Sequence, residues 1–435
     1  MKKKLLSILL CTALVLGMAG CAGSEKEEKN TSAPSEETTT GAKKADGKVT
    51  VKLAVWASGA ADNFTKAAEE FNKRQDKINF VIDMQNSYAE YLGSKVAAND
   101  LPDLFFLNPY SEVQQFAKNG KILDLSDQSF NERIYESSKD SCTYDGKVYA
   151  YPMCQEMLGV YYNQDLFKKA GIEKVPETAS ELKEACEKLN AQNITPFAAT
   201  FKDAWTLNHA LSCMQGGILG DGMEKWIEDM NSGSGTYKVE GYENVFKTMD
   251  LLKENAGSNF MDADSTSGFN ALANGEAAML LSGEFSLLNM ASINPDLPVG
   301  LFALPMTDNA ADTKLDVDTG ICVAVNKDSK QLDEALEVLN YISDNSDENG
   351  WMFYTANSLG AAPAAMEYKM TTEYQYYNDY MKYMKEKKTR PWCYLQLPSG
   401  AGGILGEAVQ GYMMGSSDTD QTIAELDEDV KGLIQ

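Results

Sequence analysis

Hydrophobic and polar residues alternate where the folded part of the chain begins, and the period then changes. Segment 49–55 has an apolar residue at every second position, which indicates a β-strand with one buried face. Segment 64–71 has apolar residues at i, i+3, i+4 and i+7, which is one face of an α-helix. Segment 78–84 alternates again. The pattern predicts a strand–helix–strand unit.

The alternation of strand and helix patterns continues along the chain. A helix is predicted over about 88–99, and the apolar run 101–107 is typical of a strand buried in a parallel sheet. Thr178–Glu181 has the composition of a capping box and predicts a helix to about Asn190. The last hundred residues are predicted to be almost entirely helical. Together these patterns indicate an α/β fold, with further strands predicted over 157–162, 195–200, 277–281, 299–304 and 320–325 and a further helix over 242–255.

The first residues have the composition of a bacterial export signal. Lys2–Lys4 are basic, Leu5–Val15 are almost wholly apolar, and Met18–Cys21 ends in small residues. The apolar run is shorter than the roughly 20 residues that cross a bilayer. The ending resembles a lipobox, in which the cysteine becomes the lipid-carrying N-terminus. We therefore expect a signal peptide over 1–20, lipidation of Cys21, and a chain anchored on the outer face of the bacterial cell membrane.

A polar segment follows Cys21. Residues 21–47 are rich in Ser, Thr, Glu and Lys and contain no aromatic residue, so they cannot bury enough apolar surface to offset the entropy of ordering. We expect a flexible tether here, with folding from Lys48 onward. The rest of the chain is longer than the roughly 250–300 residues that one hydrophobic core supports, which predicts two lobes.

Charge and residue usage exclude several classes of function. The net charge is −25, and phosphate recognition needs concentrated Lys and Arg, so nucleic-acid binding is not expected. Beyond Cys11 and Cys21 no two cysteines have CxxC spacing, and the single histidine is His209, so neither a metal site nor a cofactor is expected. His209 is predicted to begin a helix with a structural or pocket-rim role. Disulfide pairing is left open for Cys142, Cys154, Cys186, Cys213, Cys322 and Cys393.

Three loops follow the first three predicted strands. They contain Trp56–Asp62, Gln85–Ser87 and Asn108–Ser111. The carboxyl ends of parallel strands line the ligand crevice of open α/β sheets. We therefore expect ligand contacts from these loops.

Four stretches, in order and in register, resemble the family 1 extracellular solute-binding proteins. The first is a strand–turn–helix segment with a conspicuous YYNQDLFKKAGI sequence, and the other three are strands with their flanking turns. The resemblance spans the whole folded part of the chain. The stretches are Tyr161–Ile172 with Pro176 and Thr178–Leu182, Asn274–Met279 with Gly283–Phe285, Val299–Pro305, and Gly320–Lys330.

The resemblance implies a receptor of an ABC importer that binds a small solute, most often a sugar, and delivers it to membrane permease subunits. It implies a two-lobed fold of the type II periplasmic-binding-protein kind, each lobe a sheet flanked by helices, with the ligand cleft between the lobes and a hinge of several strands. The implied ranges are 48–155 and 268–322 for lobe 1, and 156–267 and 323–435 for lobe 2.

A sugar cleft needs aromatic faces for C–H groups together with amide and carboxylate partners for hydroxyl groups. The sequence offers both kinds near the predicted loops and the resembling stretches. Phe285 stands where sugar binders of the family often carry Trp, and Asn108–Pro109 where some carry a charged pair. The expected ligand-binding residues are Trp56, Ser58, Asp62, Gln85, Asn108, Gln155, Glu156, Trp205, Glu284, Phe285, Asp318, Trp392 and Tyr394.

An exported enzyme is the competing interpretation. A glycoside hydrolase needs two carboxylates about 5–9.5 Å apart, and this chain has acidic residues in plenty. The tether and the family resemblance favour a receptor over a hydrolase, so no catalytic residue is expected.

Overall fold

The computed structural model describes residues 47–434, except 57–60, 345, 348, 360–361 and 364–374. The predicted signal peptide, Cys21, the tether up to residue 46 and Ser58 lie outside the described residues. No helix in the described part of the chain has the length and apolar character needed to cross a membrane.

Strands and helices alternate as the sequence pattern predicts. The helices are α1 (Ala61–Arg74), α2 (Tyr88–Ala98), α3 (Ser111–Lys118), α4 (Glu136–Lys139), α5 (Gln164–Lys169), α6 (Ala179–Ala191), α7 (Ala204–Leu219), α8 (Met223–Asn231), α9 (Glu243–Glu254), α10 (Ser265–Ala273), α11 (Ser286–Ile293), α12 (Leu332–Ser343), α13 (Trp351–Leu359), α14 (Gln375–Glu386), α15 (Ala401–Met414) and α16 (Thr419–Gly432). The strands are β1 (Val49–Trp56), β2 (Ile78–Gln85), β3 (Leu104–Leu107), β4 (Thr143–Tyr144), β5 (Lys147–Val148), β6 (Ala150–Asn163), β7 (Thr195–Phe197), β8 (Ala277–Gly283), β9 (Val299–Phe302), β10 (Leu315–Val325), β11 (Ala362–Pro363) and β12 (Thr389–Arg390).

Local sequence signals explain several boundaries. The capping box before α6 is present, with the Thr178 side chain accepting the Glu181 N–H and the Glu181 side chain accepting in return. Asp145 and Gly146 adopt φ values of 49° and 72°, the left-handed conformations that a tight β4–β5 turn requires. The prediction of an almost entirely helical end is wrong for residues 387–400, where β12 and a short 3₁₀ turn separate α14 from α15.

The main sheet has the strand order β2-β1-β3-β10-β6-β8-β7, with β9 and β11 pairing with β6 and β12 pairing with β10. β1 is parallel to β2 and β3, which confirms the predicted opening unit. β10 is antiparallel to β3 and to β6. The sheet is therefore mixed, and its parallel part holds the first three strand ends at one edge.

Two long strands, β6 and β10, lie next to each other in the middle of the strand order. The first half of β6 pairs with β10 and β11, and its second half pairs with β8 and β9. The β6–β10 register shifts between Thr319 and Ile321 and again at Cys322. A register shift of this kind bends a strand locally.

The buried apolar residues form four clusters in two groups. The first group takes its residues from 51–154 and 321–352. The second takes them from 157–315 and 376–430, together with Tyr110. The predicted lobe ranges 268–322 and 323–435 do not follow these clusters, because β8 and β9 pair with the second half of β6 rather than with β1–β3.

Candidate functional site

Five ring side chains from three distant parts of the sequence form one cluster, which we call the aromatic wall: Trp205, His209, Phe285, Trp392 and Tyr394. The His209 ring lies at its centre, with ring centroids 5.3–5.8 Å from the other four. Trp205 packs on Phe285 at 5.7 Å, and Trp392 lies nearly parallel to Tyr394 at 6.2 Å. The structure thus brings together the four stacking candidates predicted after β6.

The local fold explains how the wall is built. Trp205 and His209 are four residues apart on α7 and so lie on one helix face. A Cβ at Gly283 would lie 2.2 Å from the Phe285 ring, so the glycine lets this ring fold back over the end of β8. Trp205 remains 42% exposed, whereas Trp392 is only 2% exposed. The wall therefore presents Trp205 to solvent, while Trp392 is buried and the other three rings are partly buried.

Three acidic side chains lie close to the point where the pairing of β6 with β10 ends and its pairing with β8 begins. Glu156 on β6 is directly opposite Asp318 on β10, and Glu284 follows the end of β8. Glu284 Oε2 accepts the Met157 N–H at 2.7 Å. Asp318 accepts hydrogen bonds from the Tyr110 hydroxyl at 2.8 Å, the Trp392 N–H at 2.9 Å and the Thr319 N–H at 2.7 Å. The Trp392 contact ties the acidic group to the aromatic wall.

Burial disfavours the charged form of Glu156, Glu284, Asp318 and His209, so it raises the pKa of each carboxyl group and lowers that of the imidazole. It raises the pKa of Glu156 to about 7 and that of Asp318 to about 7. Burial and then the charge of Glu156 raise the pKa of Glu284 well above its usual range. Burial also lowers the pKa of His209 to about 4, so the imidazole is uncharged near neutral pH. Burial thus opposes the charged form of all four side chains.

Several buried polar atoms at the site have no hydrogen-bond partner in the described part of the chain. They are Asn208 Oδ1, His209 Nδ1, Glu284 Oε1 and Trp392 Nε1. Buried polar groups are nearly always satisfied, so these atoms are candidates for contacts with a ligand or with water. Trp392 supplies a donor and Asn208 an acceptor. Sequence reasoning missed Asn208, whose position beside His209 and one turn from Trp205 was the available signal.

Tyr110, in the loop after β3, connects the β1–β3 part of the sheet to this site. Its backbone has φ 57° and ψ −102°, an uncommon conformation for a residue other than glycine. The neighbouring Ser111 hydroxyl donates to the Leu395 carbonyl at 3.3 Å. The loop that follows β3 thus touches the wall segment directly. Tyr110 itself was not among the expected site residues.

The other expected residues lie elsewhere. Trp56 packs edge-on against Tyr88 and Phe106 at 5.5 and 5.1 Å, in the first group of clusters. Asn108 lines a groove of about 480 Å³ between α2 and α3. Asp62 is exposed in the first turn of α1. No described contact joins these three residues to the aromatic wall.

Two expected residues make contacts within the protein instead. Gln85 donates to the Asp83 carboxylate at 2.6 Å, at the end of β2. Gln155 is 3% exposed; it donates to the Ser138 hydroxyl at 3.3 Å and accepts from the Tyr380 hydroxyl at 3.1 Å. These hydrogen bonds give Gln155 a part in holding the sheet.

Metal binding has no support in the described residues. They contain no group of three or more His, Cys, Asp or Glu side chains placed to hold a metal ion. The six cysteines that the sequence left open are buried and free.

Residues 57–349 match the family model of the bacterial extracellular solute-binding proteins. The chain belongs to this family. One relative is the multiple sugar-binding protein of Streptococcus mutans, 24% identical over 284 residues, which are 64% of this chain and 67% of that protein. Another is the melibiose/raffinose/stachyose-binding protein MelE of Bacillus subtilis, 24% identical over 417 residues, which are 93% of this chain and 90% of that protein.

Solved structures of solute-binding proteins share the fold. A chitin oligosaccharide binding protein superposes with a TM-score of 0.77 at 19% identity, covering 88% of this chain and 99% of that one. The solute-binding protein RafE in complex with raffinose superposes with a TM-score of 0.74 at 21% identity, covering 89% of this chain and 99% of that one. The chain therefore has the two-lobed α/β fold of these proteins, which confirms the predicted fold class.

Proposed function

We propose that this chain is the carbohydrate receptor of an ABC importer, binding a mono- or oligosaccharide at the aromatic wall and delivering it to the permease subunits. The observation that carries the proposal is the wall itself, with Glu156 and Asp318 in the adjoining strands. The names of the relatives support the same ligand class, since they include binding proteins for melibiose, raffinose, stachyose and diacetylchitobiose.

The wall suits a sugar on physical grounds. A pyranose ring has C–H faces that pack on aromatic rings, and exposed Trp205 offers such a surface. Its hydroxyl groups both donate and accept hydrogen bonds, which matches the mixture of unpartnered atoms at Asn208 Oδ1 and Trp392 Nε1. An apolar ligand would leave these polar atoms unsatisfied at a cost of about 1–3 kcal/mol each.

Binding is proposed to close the two lobes about β6 and β10. These strands run through both groups of clusters, and we propose that the lobe boundaries follow the clusters. A shift from 1:99 to 99:1 in favour of the closed form requires about 10⁴-fold tighter binding to that form, or about 5.5 kcal/mol. Contacts from both lobes with one sugar can supply this difference. The closed form would be the form that the permease subunits recognise as carrying a ligand.

We expect the protein to bind its carbohydrate ligand without cleaving it. The relatives are named as binding proteins, which supports a receptor over a hydrolase. The two glutamates of the site are also unlike a hydrolytic pair in their surroundings, because Glu284 is fully buried and accepts the Met157 N–H of β6. A glycosidase acid must reach the scissile bond of its substrate.

A thermal-shift screen tests the proposed function. The panel is melibiose, raffinose, stachyose, diacetylchitobiose and galactose, with mannitol as a polyol. A sugar at a hundred times its dissociation constant should stabilise the protein by about 2.7 kcal/mol, without being cleaved. Small-angle scattering of the same samples should show a smaller radius of gyration with the bound sugar. No shift with any carbohydrate, or cleavage of the bound one, would contradict the receptor function.

We also propose that the mature protein is a lipoprotein, anchored through Cys21. The support is the basic segment, the apolar run and the Met18–Cys21 ending in the sequence. The Cys21→Ala variant should be found in the medium or as uncleaved precursor, whereas the wild-type protein partitions into detergent. Cys11→Ala, within the part predicted to be removed, is the matched control and should behave as wild type. Unchanged partitioning of Cys21→Ala would exclude the anchor.

A further inference from the structure

Asp318 was expected to contact the ligand, yet both of its carboxyl oxygens already accept hydrogen bonds from within the chain. Oδ1 accepts the Tyr110 hydroxyl at 2.8 Å and the Thr319 N–H at 2.7 Å, and Oδ2 accepts the Trp392 N–H at 2.9 Å. The Asp318 side chain is only 3% exposed. All three partners are donors, and hydrogen bonds to a carboxylate are stronger than those between neutral groups. Asp318 therefore acts on the site through the groups that it holds.

The hydrogen bonds of Asp318 join both groups of buried clusters. Tyr110 is in the loop after β3, a strand of the first group, but its ring packs with the second group. Trp392 belongs to the second group. Asp318 lies between them on β10, where Leu315 is in the second group and Ile321 in the first. The hydrogen bonds from Tyr110 and Trp392 to Asp318 thus connect the β1–β3 part of the sheet to the aromatic wall.

The loop after β3 is held at two further points. The Tyr110 N–H donates to the Ser141 carbonyl at 2.7 Å, and the Ser111 hydroxyl donates to the Leu395 carbonyl at 3.3 Å. Tyr110 has φ 57° and ψ −102°, a conformation that costs free energy in a residue other than glycine. Backbone strain of this kind persists only where the surrounding contacts over-determine it, and it is concentrated at functional sites. The contacts around Tyr110 therefore maintain a conformation that the loop would not adopt by itself.

The other end of this connection is part of the aromatic wall. The Trp392 ring lies 5.5 Å from the His209 ring and 6.2 Å from the Tyr394 ring, centroid to centroid. Its Nε1 has no hydrogen-bond partner in the described part of the chain. The next residue is fixed as well, because the Cys393 N–H donates to the Ser212 hydroxyl of α7 at 3.1 Å. A shift of the Trp392 backbone would therefore move both a ring and a donor of the wall.

We propose that Tyr110 is a positioning residue of the ligand site: its hydroxyl holds the Asp318 carboxylate, which holds the Trp392 backbone and with it the buried ring of the aromatic wall. The inference rests on the proposed carbohydrate-binding function for its effect on affinity, but not for its effect on the wall segment. Through Tyr110, the geometry of the wall depends on contact with the β1–β3 part of the sheet.

Hydrogen exchange of the ligand-free protein tests the positioning role without any sugar. In Tyr110→Phe, which keeps the ring but loses the donor, the Trp392 amide should exchange about threefold faster or more than in wild type. Tyr91→Phe is the matched control, because the Tyr91 hydroxyl donates to the Asp83 carboxylate at 2.8 Å, and it should leave exchange at Trp392 unchanged. The proposal is overturned by equal Trp392 exchange in wild type and Tyr110→Phe, or by an equal increase at the buried amides of α1, which would indicate general destabilisation.

Binding measurements test the effect on the site, with the panel sugar of largest thermal shift as the probe sugar. Tyr110→Phe should weaken binding about 3- to 10-fold, whereas Tyr91→Phe should leave it unchanged. Asp318→Asn should weaken binding at least as much as Tyr110→Phe, because the amide replaces one of the two accepting oxygens by a donor. In the Asp318→Asn background, Tyr110→Phe should cause little further loss, since both residues act through the same contact.

The outcomes of the two experiments are separable. Wild-type affinity in Tyr110→Phe, or losses that simply add in the double variant, would refute the positioning role. If no sugar binds the wild type, the proposed function fails, while hydrogen exchange at Trp392 still decides whether Tyr110 holds the wall segment.

Discussion

The Asp316→Asn substitution should lower the free energy of unfolding by about 3–5 kcal/mol, one of the largest losses we expect from a single residue. Asp316 on β10 and Arg390 on β12 form a buried ion pair with two hydrogen bonds of 3.0 and 2.9 Å. Arg390 also donates to the Cys213 carbonyl of α7 at 3.0 Å. The asparagine keeps the shape but leaves the guanidinium charge uncompensated in the interior. Chemical denaturation measures the loss.

The exposed ion pair of Lys188 and Glu184 on α6 provides the control. Its atoms are 2.8 Å apart, with 44% and 61% of the side chains exposed. Glu184→Gln should change stability by no more than about 1 kcal/mol, because solvent screens the pair. A loss for Asp316→Asn as small as that for Glu184→Gln would show that the buried pair does not stabilise the fold. Replacing both Asp316 and Arg390 with apolar residues should recover part of the loss, since no charge is then left unpaired.

Local periodicity was enough to predict several elements of the fold. The alternating pattern of β1 and β2 and the capping box of α6 each act within a few residues, so the sequence alone specifies them. The requirements of a sugar cleft gave Trp205, Phe285 and Trp392 as stacking candidates, and the structure brings these three into one cluster. Sequence could do this because the chemistry of a sugar directs attention to aromatic side chains as a class.

Long-range contacts were beyond prediction. The Tyr110 hydroxyl donates a hydrogen bond to the Asp318 carboxylate, 208 residues away in the sequence, and no local sequence pattern indicates such a pair. Gly320 had no expected role, yet its missing side chain provides the space for Glu156. The predicted lobe ranges and the buried clusters divide the chain differently, because strand pairing joins segments that are distant in the sequence. His209 was expected at the start of a helix with a structural or pocket-rim role, but the sequence did not show that its ring would pack against four others.

The Trp205→Ala substitution should weaken sugar binding by about 1–3 kcal/mol, or roughly 5- to 150-fold, while the apo protein keeps nearly its full stability. Trp205 is 42% exposed, so its removal opens little buried volume, but a bound sugar would lose an aromatic face. Phe353 on α13 is also 42% exposed and packs on Tyr354 at 5.1 Å, away from the wall. Phe353→Ala should therefore leave affinity unchanged and serves as the matched control. Calorimetric titration with the probe sugar separates the outcomes: a large loss of apo stability with intact affinity would make Trp205 a packing residue, because a ligand face contributes to binding without supporting the empty fold.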